Sequence, residues 1–421
     1  MITDCYKNSD VSAYDIVTMK VSALVFLALL AFCACAKRYD NYQVYRITPR
    51  NDRQLQVLKE LVQNPTFTLW SDISHVNRTV DVMVPPIRQR QIKAFLKSFD
   101  HELWIENVQT LIDNEGQLTT KADLNWNSYS RLETINSWMM SLPNKYPQVT
   151  VVQGGISYEG RPILGVKVSY KPGNKIVFLE GGIHAREWIA PATVTYILNQ
   201  LLSSTDPRVR AVAESRDWYV FPNANPDGYV YSTNYDRMWR KTRKPYGFCY
   251  GADPNRNWGY HWMQGGASNN PCADDYAGPS AFSEIETKSL AEFISTIAPN
   301  LEAYIGFHSY SQYLLIPFGH SGLEVPANDA ELHNIGYKAV AALSAKYGTR
   351  YSVGNIPEII YVASGGSFDW VLGNYRHVRL AYTFELRDTG RYGFLLPPDQ
   401  IIPTGRETLD ALVVMIEEIS N

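Results

Sequence analysis

Apolar and polar positions follow two regimes along the chain, and the change between them divides it into two units. In the first, Tyr42 to Ile47 reads as a strand, and Asn51 to Val62 as a helix with Leu55, Leu58 and Val62 on one face. Phe67 to Trp70 and the strictly alternating Val80 to Val84 read as two further strands. Ile92, Phe95, Leu96 and Phe99 mark a second amphipathic helix, and Leu103 to Val108 a last strand. The order β-α-β-β-α-β is the ferredoxin-like arrangement. This small α+β unit holds His75 and His101 but no cluster of ligands or nucleophiles, so its expected role is to cover something rather than to catalyse.

A polar stretch from Asp113 to Asp123 joins it to a larger unit in which strand and helix signals alternate. Apolar runs at Ile163 to Val168, Ile176 to Leu179, Trp218 to Phe221, Ala303 to Phe307 and Leu380 to Leu386 predict strands. Helical spacing appears at Tyr129 to Ser141, Pro191 to Leu202, Glu284 to Ile297, Asp329 to Tyr347 and Thr404 to Ile419. Ser283 with Glu286 predicts a capping box, and Gly348 a helix stop. Such alternation predicts an α/β sandwich on a largely parallel or mixed sheet, with ligands beyond the carboxyl ends of strands.

The 421 residues, 45% of them hydrophobic, suffice for a substantial core and two domains. A net charge of −3 without a dense basic block excludes nucleic acid and anionic membrane surfaces as expected partners. From Met19, a lysine, an apolar run and Ala34-Cys35-Ala36 read as a secretory signal ending at residue 36, the alternative being a membrane anchor. Residues 1–18 then form an upstream extension. Cleavage would leave Cys249 and Cys272, expected to close a loop of about twenty residues worth roughly 3 kcal/mol; the alternative is two free thiols. Asn77-Arg78-Thr79 is an N-glycosylation acceptor pattern. Between Lys97 and Arg131 the only Lys or Arg is Lys121, so a trypsin-like protease would find one bond in the linker, Lys121-Ala122.

The candidate chemistry begins where the run ending at Leu179 breaks into glycines followed by His184, Arg186 and Glu187. An H-x-x-E pair can offer an imidazole nitrogen and a carboxylate to one Zn2+, yet two ligands alone are a weak signal. His308, directly past another predicted strand, supplies a third, and three protein ligands leave one position for water. His261, His320 and His377 fall in loops without a nearby carboxylate and His333 in a helix, so these are read as structural or solvated. Glu385 is a carboxylate inside an otherwise apolar strand, the setting of a buried group with a task. Arg237 and Arg240 recur in one segment, and Arg256 beside Asn255 suits a bidentate clamp on a carboxylate.

HAREW at 184–188, DRMWRKTR at 236–243, NRNW at 255–258, HSYSQ at 308–312, YVASGGSFDW at 361–370 and TFELRDTGRYGF at 383–394 resemble the zinc metallocarboxypeptidases of the pancreatic A/B type, in that family's order. The resemblance implies a mixed eight-stranded sheet flanked by helices over residues 122–421. It also implies an activation domain at 37–112 and an activation linker at 113–121. One Zn2+ would be held by His184, Glu187 and His308, with Asp253 orienting a ligand histidine. Glu385 would be the general base and Arg240 the oxyanion stabiliser. Asn255 and Arg256 would bind a substrate's C-terminal carboxylate under Tyr361, and Arg186, Tyr310 and Phe394 would line a subsite further in. Expected partners are peptide and protein C-termini, an activating trypsin-like protease and protein inhibitors, and the expected enzyme is a secreted monomeric zymogen.

Where members that cleave basic residues carry aspartate, this chain has Phe368, with Gly319 on another wall. An apolar pocket cannot stabilise an ammonium or guanidinium, so cleavage of apolar or aromatic C-terminal residues is expected. Two alternatives stand beside this. A register shift of one residue would present Asp369 and give basic specificity. A silent binding protein of the same fold would lack a ligand or the base, and none is missing.

Overall fold

The computed structural model describes residues 36–64, 66–71, 73, 75–119 and 124–420. The expected leader up to Cys35 and the Lys121-Ala122 bond lie outside the described residues.

In the first unit, strands β1 (Gln43–Thr48), β2 (Thr68–Leu69), β3 (Val80–Val84) and β4 (Asp100–Ile105) form an antiparallel sheet in the order β2-β3-β1-β4. Strand periodicity assigns its two faces. Tyr45, Ile47, Val80, Val82 and Val84 pack with Leu58 and Ile92 of the helices Asp52–Val62 and Gln89–Phe95. The opposite parity, Val44 and Met83, packs against Met238, Tyr310 and Phe394 of the second unit. Asp81 has that parity too, so alternation alone carries a carboxylate into the interface. The last strand begins at Asp100 rather than Leu103. Val108–Asn114, which the sequence divides between strand and linker, is a helix capped by Asn107, whose side chain accepts from the Gln109 amide. Val108, Leu111 and Ile112 form its apolar face, a period too short to register beside the polar residues that follow.

The second unit is an eight-stranded mixed sheet in the order β13-β12-β14-β11-β7-β8-β6-β5. Its strands are β5 (Val149–Ile156), β6 (Pro162–Val168), β7 (Ile176–Gly181), β8 (Asp217–Phe221), β11 (Leu301–Ser309), β12 (Tyr313–Ile316), β13 (Ser352–Asn355) and β14 (Leu380–Leu386). A two-stranded hairpin, β9 (Pro245–Tyr246) and β10 (Cys249–Tyr250), sits apart from it. Helices Leu132–Lys145, Ile189–Ser203, Asp329–Tyr347 and Ile401–Ser420 bury one face of the sheet, and Ile285–Ile297 with Ser367–Asn374 the other. The central strands β8, β7, β11 and β14 run parallel, which explains their continuous apolar runs: both faces are covered. β5, β12 and β13 escaped the sequence pattern because they are short or interrupted, β5 by Gly154 and Gly155.

Two local expectations fare differently. Gly348 ends its helix in the left-handed conformation, at φ +72°. The capping box fails: the helix Ile285–Ile297 has Glu284 at its N-cap without a side-chain cap bond. Ser283 Oγ donates to Glu284, and Glu286 Oε1 accepts instead from the Tyr158 amide at 2.9 Å. Cys249 and Cys272 are disulfide-bonded across 23 residues.

Candidate metal centre and cleft

Because β7, β11 and β14 are parallel neighbours, their carboxyl ends open on one edge of the sheet. His184 follows β7, His308 lies near the end of β11, and Glu385 is paired with His308 in register on β14. The turn out of β7 needs Gly182, at φ +64°, where an added Cβ would sit 3.0 Å from the Pro222 carbonyl oxygen. That close turn aims His184 and Glu187 back over the strand ends.

His184, Glu187 and His308 converge and are all buried. His184 Nδ1 lies 2.8 Å from Glu187 Oε1 and 3.1 Å from His308 Nδ1, while His308 Nδ1 is 3.2 Å from Glu187 Oε2. The other nitrogen of His184, Nε2, meets Asp253 Oδ1 at 3.0 Å, so the ring is oriented from behind. Asp253 Oδ2 in turn accepts from Arg240 Nη2 at 2.7 Å. Burial pushes the Glu187 carboxyl up, but its electrostatic and hydrogen-bond contacts with the His184 and His308 rings outweigh it and hold it well below the usual carboxylate range. Burial acts likewise on Asp253, and Arg240, His184 and Arg256 overcome it in the same direction. Two imidazoles and an ionised carboxylate around one point, with an outer carboxylate on one ring, fit a zinc ion.

A cavity of about 700 Å³ opens in front of this centre. Arg186, Arg240, Asn255, Arg256, Tyr310, Tyr361, Phe368, Glu385 and Phe394 all line it. Arg256 Nη2 donates to the Tyr361 hydroxyl at 3.3 Å. Gly319 is the one expected wall residue that does not line the cavity. Its backbone N–H donates to Asp369 Oδ2 at 2.8 Å, and an added Cβ would collide with the Ala363 carbonyl oxygen. Asp369 is fully buried behind the wall that Phe368 presents.

Burial pushes the Asp369 carboxyl up to about 7. An unfolded aspartate loses its proton near pH 4, so between about pH 4 and 7 the folded chain holds a proton that the unfolded chain has released. Stability therefore falls as pH rises through that window, by about 4 kcal/mol at most. Asp369→Asn removes the dependence. Melting temperatures of the two proteins at pH 5 and pH 8 check this, with the asparagine variant gaining on the parent at pH 8; an equal difference at both values would mean that Asp369 does not titrate there.

The first unit closes the cleft from the other side. Tyr310 Oη donates to Asp81 Oδ2 at 3.0 Å, Asp81 also pairs with Arg46, and Arg186 Nη2 donates to the Leu69 carbonyl at 3.4 Å. Trp70 packs edge-on against Phe394 at 5.6 Å between centroids. At the end of the helix Val108–Asn114, buried Glu115 receives two hydrogen bonds from Arg237, at 2.6 and 2.7 Å. Glu115 belongs to the polar stretch of the sequence, where nothing local marks it for burial, and only its partner's segment carries a signal. His261 and His320, expected to lack a carboxylate partner, have one: Glu324 lies 3.8 and 3.3 Å from their Nε2 atoms. His377 and His333 bond to backbone carbonyls, as structural histidines do.

Comparison with known proteins matches residues 135–411 to the zinc carboxypeptidase family and residues 45–115 to the carboxypeptidase activation peptide. The chain is 49% identical over 409 residues to zinc carboxypeptidase A 1 of Anopheles gambiae, covering 94% of both chains. It is 47% identical over 297 residues to carboxypeptidase B of Astacus astacus, covering 69% of this chain and 97% of that one. Among solved structures, the carboxypeptidase A of Helicoverpa armigera superposes with a TM-score of 0.82 at 30% identity, over 90% of this chain and 98% of that one. The chain therefore belongs to the zinc carboxypeptidases and carries the activation peptide of a zymogen.

Proposed function

We propose that this zinc carboxypeptidase is a secreted monomeric zymogen, opened by a trypsin-like protease at Lys121-Ala122, that then removes single apolar or aromatic residues from peptide C-termini. Phe368 on the cleft wall, with Asp369 turned behind it onto the Gly319 amide, is the observation that carries the specificity. The leader-like segment before Lys37 supports secretion, and among the described residues no helix is long and apolar enough to cross a membrane.

His184, Glu187 and His308 hold the zinc, which when bound supplies a Lewis acid that activates water and polarises the scissile carbonyl. Glu385 accepts a proton on its carboxylate from the attacking water and delivers it to the leaving amine. Arg240, held by Asp253, stabilises charge on the carbonyl oxygen. Asn255 and Arg256 clamp the free carboxylate of the substrate, and Tyr361 closes over it. Arg186, Tyr310 and Phe394 line the next position inward. In the zymogen these last three are engaged by Leu69, Asp81 and Trp70, which supports a covered, inactive cleft.

A second reading, release of Lys or Arg, is favoured by the similarity to a crayfish carboxypeptidase B. The test is hydrolysis, by the trypsin-treated protein, of matched substrates ending in Phe, Leu, Lys and Arg, with and without a zinc chelator. Chelator-sensitive release of Phe or Leu is expected. Preferential release of Lys or Arg would overturn the apolar reading.

A further inference from the structure

Apart from the catalytic centre, one other cluster among the described residues brings metal-binding side chains together. It lies behind the cleft, where the loop carrying His261 meets the turn carrying His320 and Glu324. One donor atom from each lies within 4.8 Å of the others. The two imidazoles stack with centroids 3.9 Å apart and planes 18° apart, and both Nε2 atoms face Glu324 Oε2. His261 Nδ1 lies 2.7 Å from Gln264 Oε1, an acceptor, so Nδ1 carries the ring proton and the Nε2 lone pair is left pointing at the cluster. An outer hydrogen bond that fixes the tautomer in this way is how metal-binding histidines are held. His261 is moreover in the left-handed region, at φ +48°, a conformation uncommon for a non-glycine residue.

We infer that His261, His320 and Glu324 form a second site for a divalent transition-metal ion, distinct from the catalytic centre. Two imidazoles and a carboxylate are the donor set of the catalytic centre repeated, and imidazole selects zinc or copper over magnesium or calcium. His261 and Glu324 are about one-third exposed, so an ion can enter from solvent, and water completes its shell. The other contacts of the cluster set what binding must change. Glu324 accepts from the Tyr260 hydroxyl at 2.6 Å and pairs with Arg376 at 2.8 Å, so its carboxylate is held in place and part of its charge is already answered. His320 Nδ1 accepts from the Gly322 amide at 3.1 Å, which places the ring proton on Nε2. Coordination through Nε2 moves that proton to Nδ1 and turns the Gly322 amide away, a movement within the exposed turn Ser321 to Leu323.

Binding there would tie together two segments that support the cleft. The Ser321 amide donates to the Gln264 carbonyl and the Ser364 amide to Gly265, while Arg256 Nε donates to the Gly266 carbonyl at 2.8 Å. The ion would thus brace the loop that positions Arg256.

The test is equilibrium dialysis of the full chain, carrying its catalytic zinc, against graded free Zn2+. Glu385→Gln serves as the parent, so that ions held by the cleft carboxylate are not counted. The expected result is about two zinc ions per chain in the parent and about one in the His261→Gln and Glu324→Gln variants. His333→Gln, at a histidine outside the cluster, should keep both. Retention of the catalytic zinc and an unshifted melting temperature without added metal report that each variant is folded. Added zinc should also raise the melting temperature of the parent but not of the His261 variant, since an ion that binds only the folded chain stabilises it. One ion per chain in the parent, or a second that survives both substitutions, would overturn the site.

Discussion

Glu385→Gln leaves zinc content and melting behaviour unchanged and lowers turnover of a C-terminal Phe substrate by about a thousandfold or more, the upper range of what a positioned general base contributes. Glu385 lies beside the zinc ligands by register, opposite His308 on the neighbouring parallel strand, and it lines the cleft without being one of them. Glutamine preserves the shape of the side chain and its capacity to accept a hydrogen bond, but it cannot take up the proton of the attacking water. The loss should fall on kcat with little change in KM, because Asn255 and Arg256, the proposed carboxylate clamp, are untouched by the substitution. Metal analysis and steady-state kinetics on the same preparation check this. Retained turnover with full zinc occupancy would remove Glu385 as the base.

Lys121→Gln keeps the chain intact and inactive under trypsin concentrations that activate the parent. The flanking stretch offers no other Lys or Arg between Lys97 and Arg131. The first unit contacts Arg186, Tyr310 and Phe394, the residues proposed to line the substrate position, so without the cut those contacts should persist and keep the cleft covered. Gel analysis and activity followed together over the digestion check the prediction. Identical activation kinetics in the two proteins would show that another bond is the one that matters. Because Glu115 precedes the cut, its buried pair with Arg237 still joins the two pieces after cleavage. Breaking one side of such a pair costs about 3–5 kcal/mol, so activity should follow release of the first unit rather than the cut itself.

The central strands were visible because burial on both faces leaves continuous apolar runs. The helix Asp329–Tyr347 matched to the residue, because its end is written in Gly348. The H-x-x-E spacing marks His184 and Glu187 after β7, and His308, expected just past a strand, is in fact the next-to-last residue of β11; the three do converge. The failures share a physical character. The helix Val108–Asn114 is too short for its period to stand out from polar neighbours, and Ser283 lost its cap role because the Glu286 carboxylate found a better donor in Tyr158, far away in the chain. Glu324 stands four residues after His320 and was within reach of a local reading, whereas His261 meets the same carboxylate only through folding.

The sequence by itself determined the family, the two-unit order, the parallel core and which three residues converge as the candidate metal centre, because each is written in local periods, local spacings or contiguous motifs. Only the tertiary structure decided that Asp81 meets Tyr310, that Glu115 meets Arg237, that Asp369 turns from the pocket to the Gly319 amide, and that two loop histidines stack over Glu324. These pairs come from segments far apart in the chain or from which way a side chain turns. A buried charge is stable only beside its partner, and no local pattern of apolar and polar residues records where that partner will lie once the chain has closed around it.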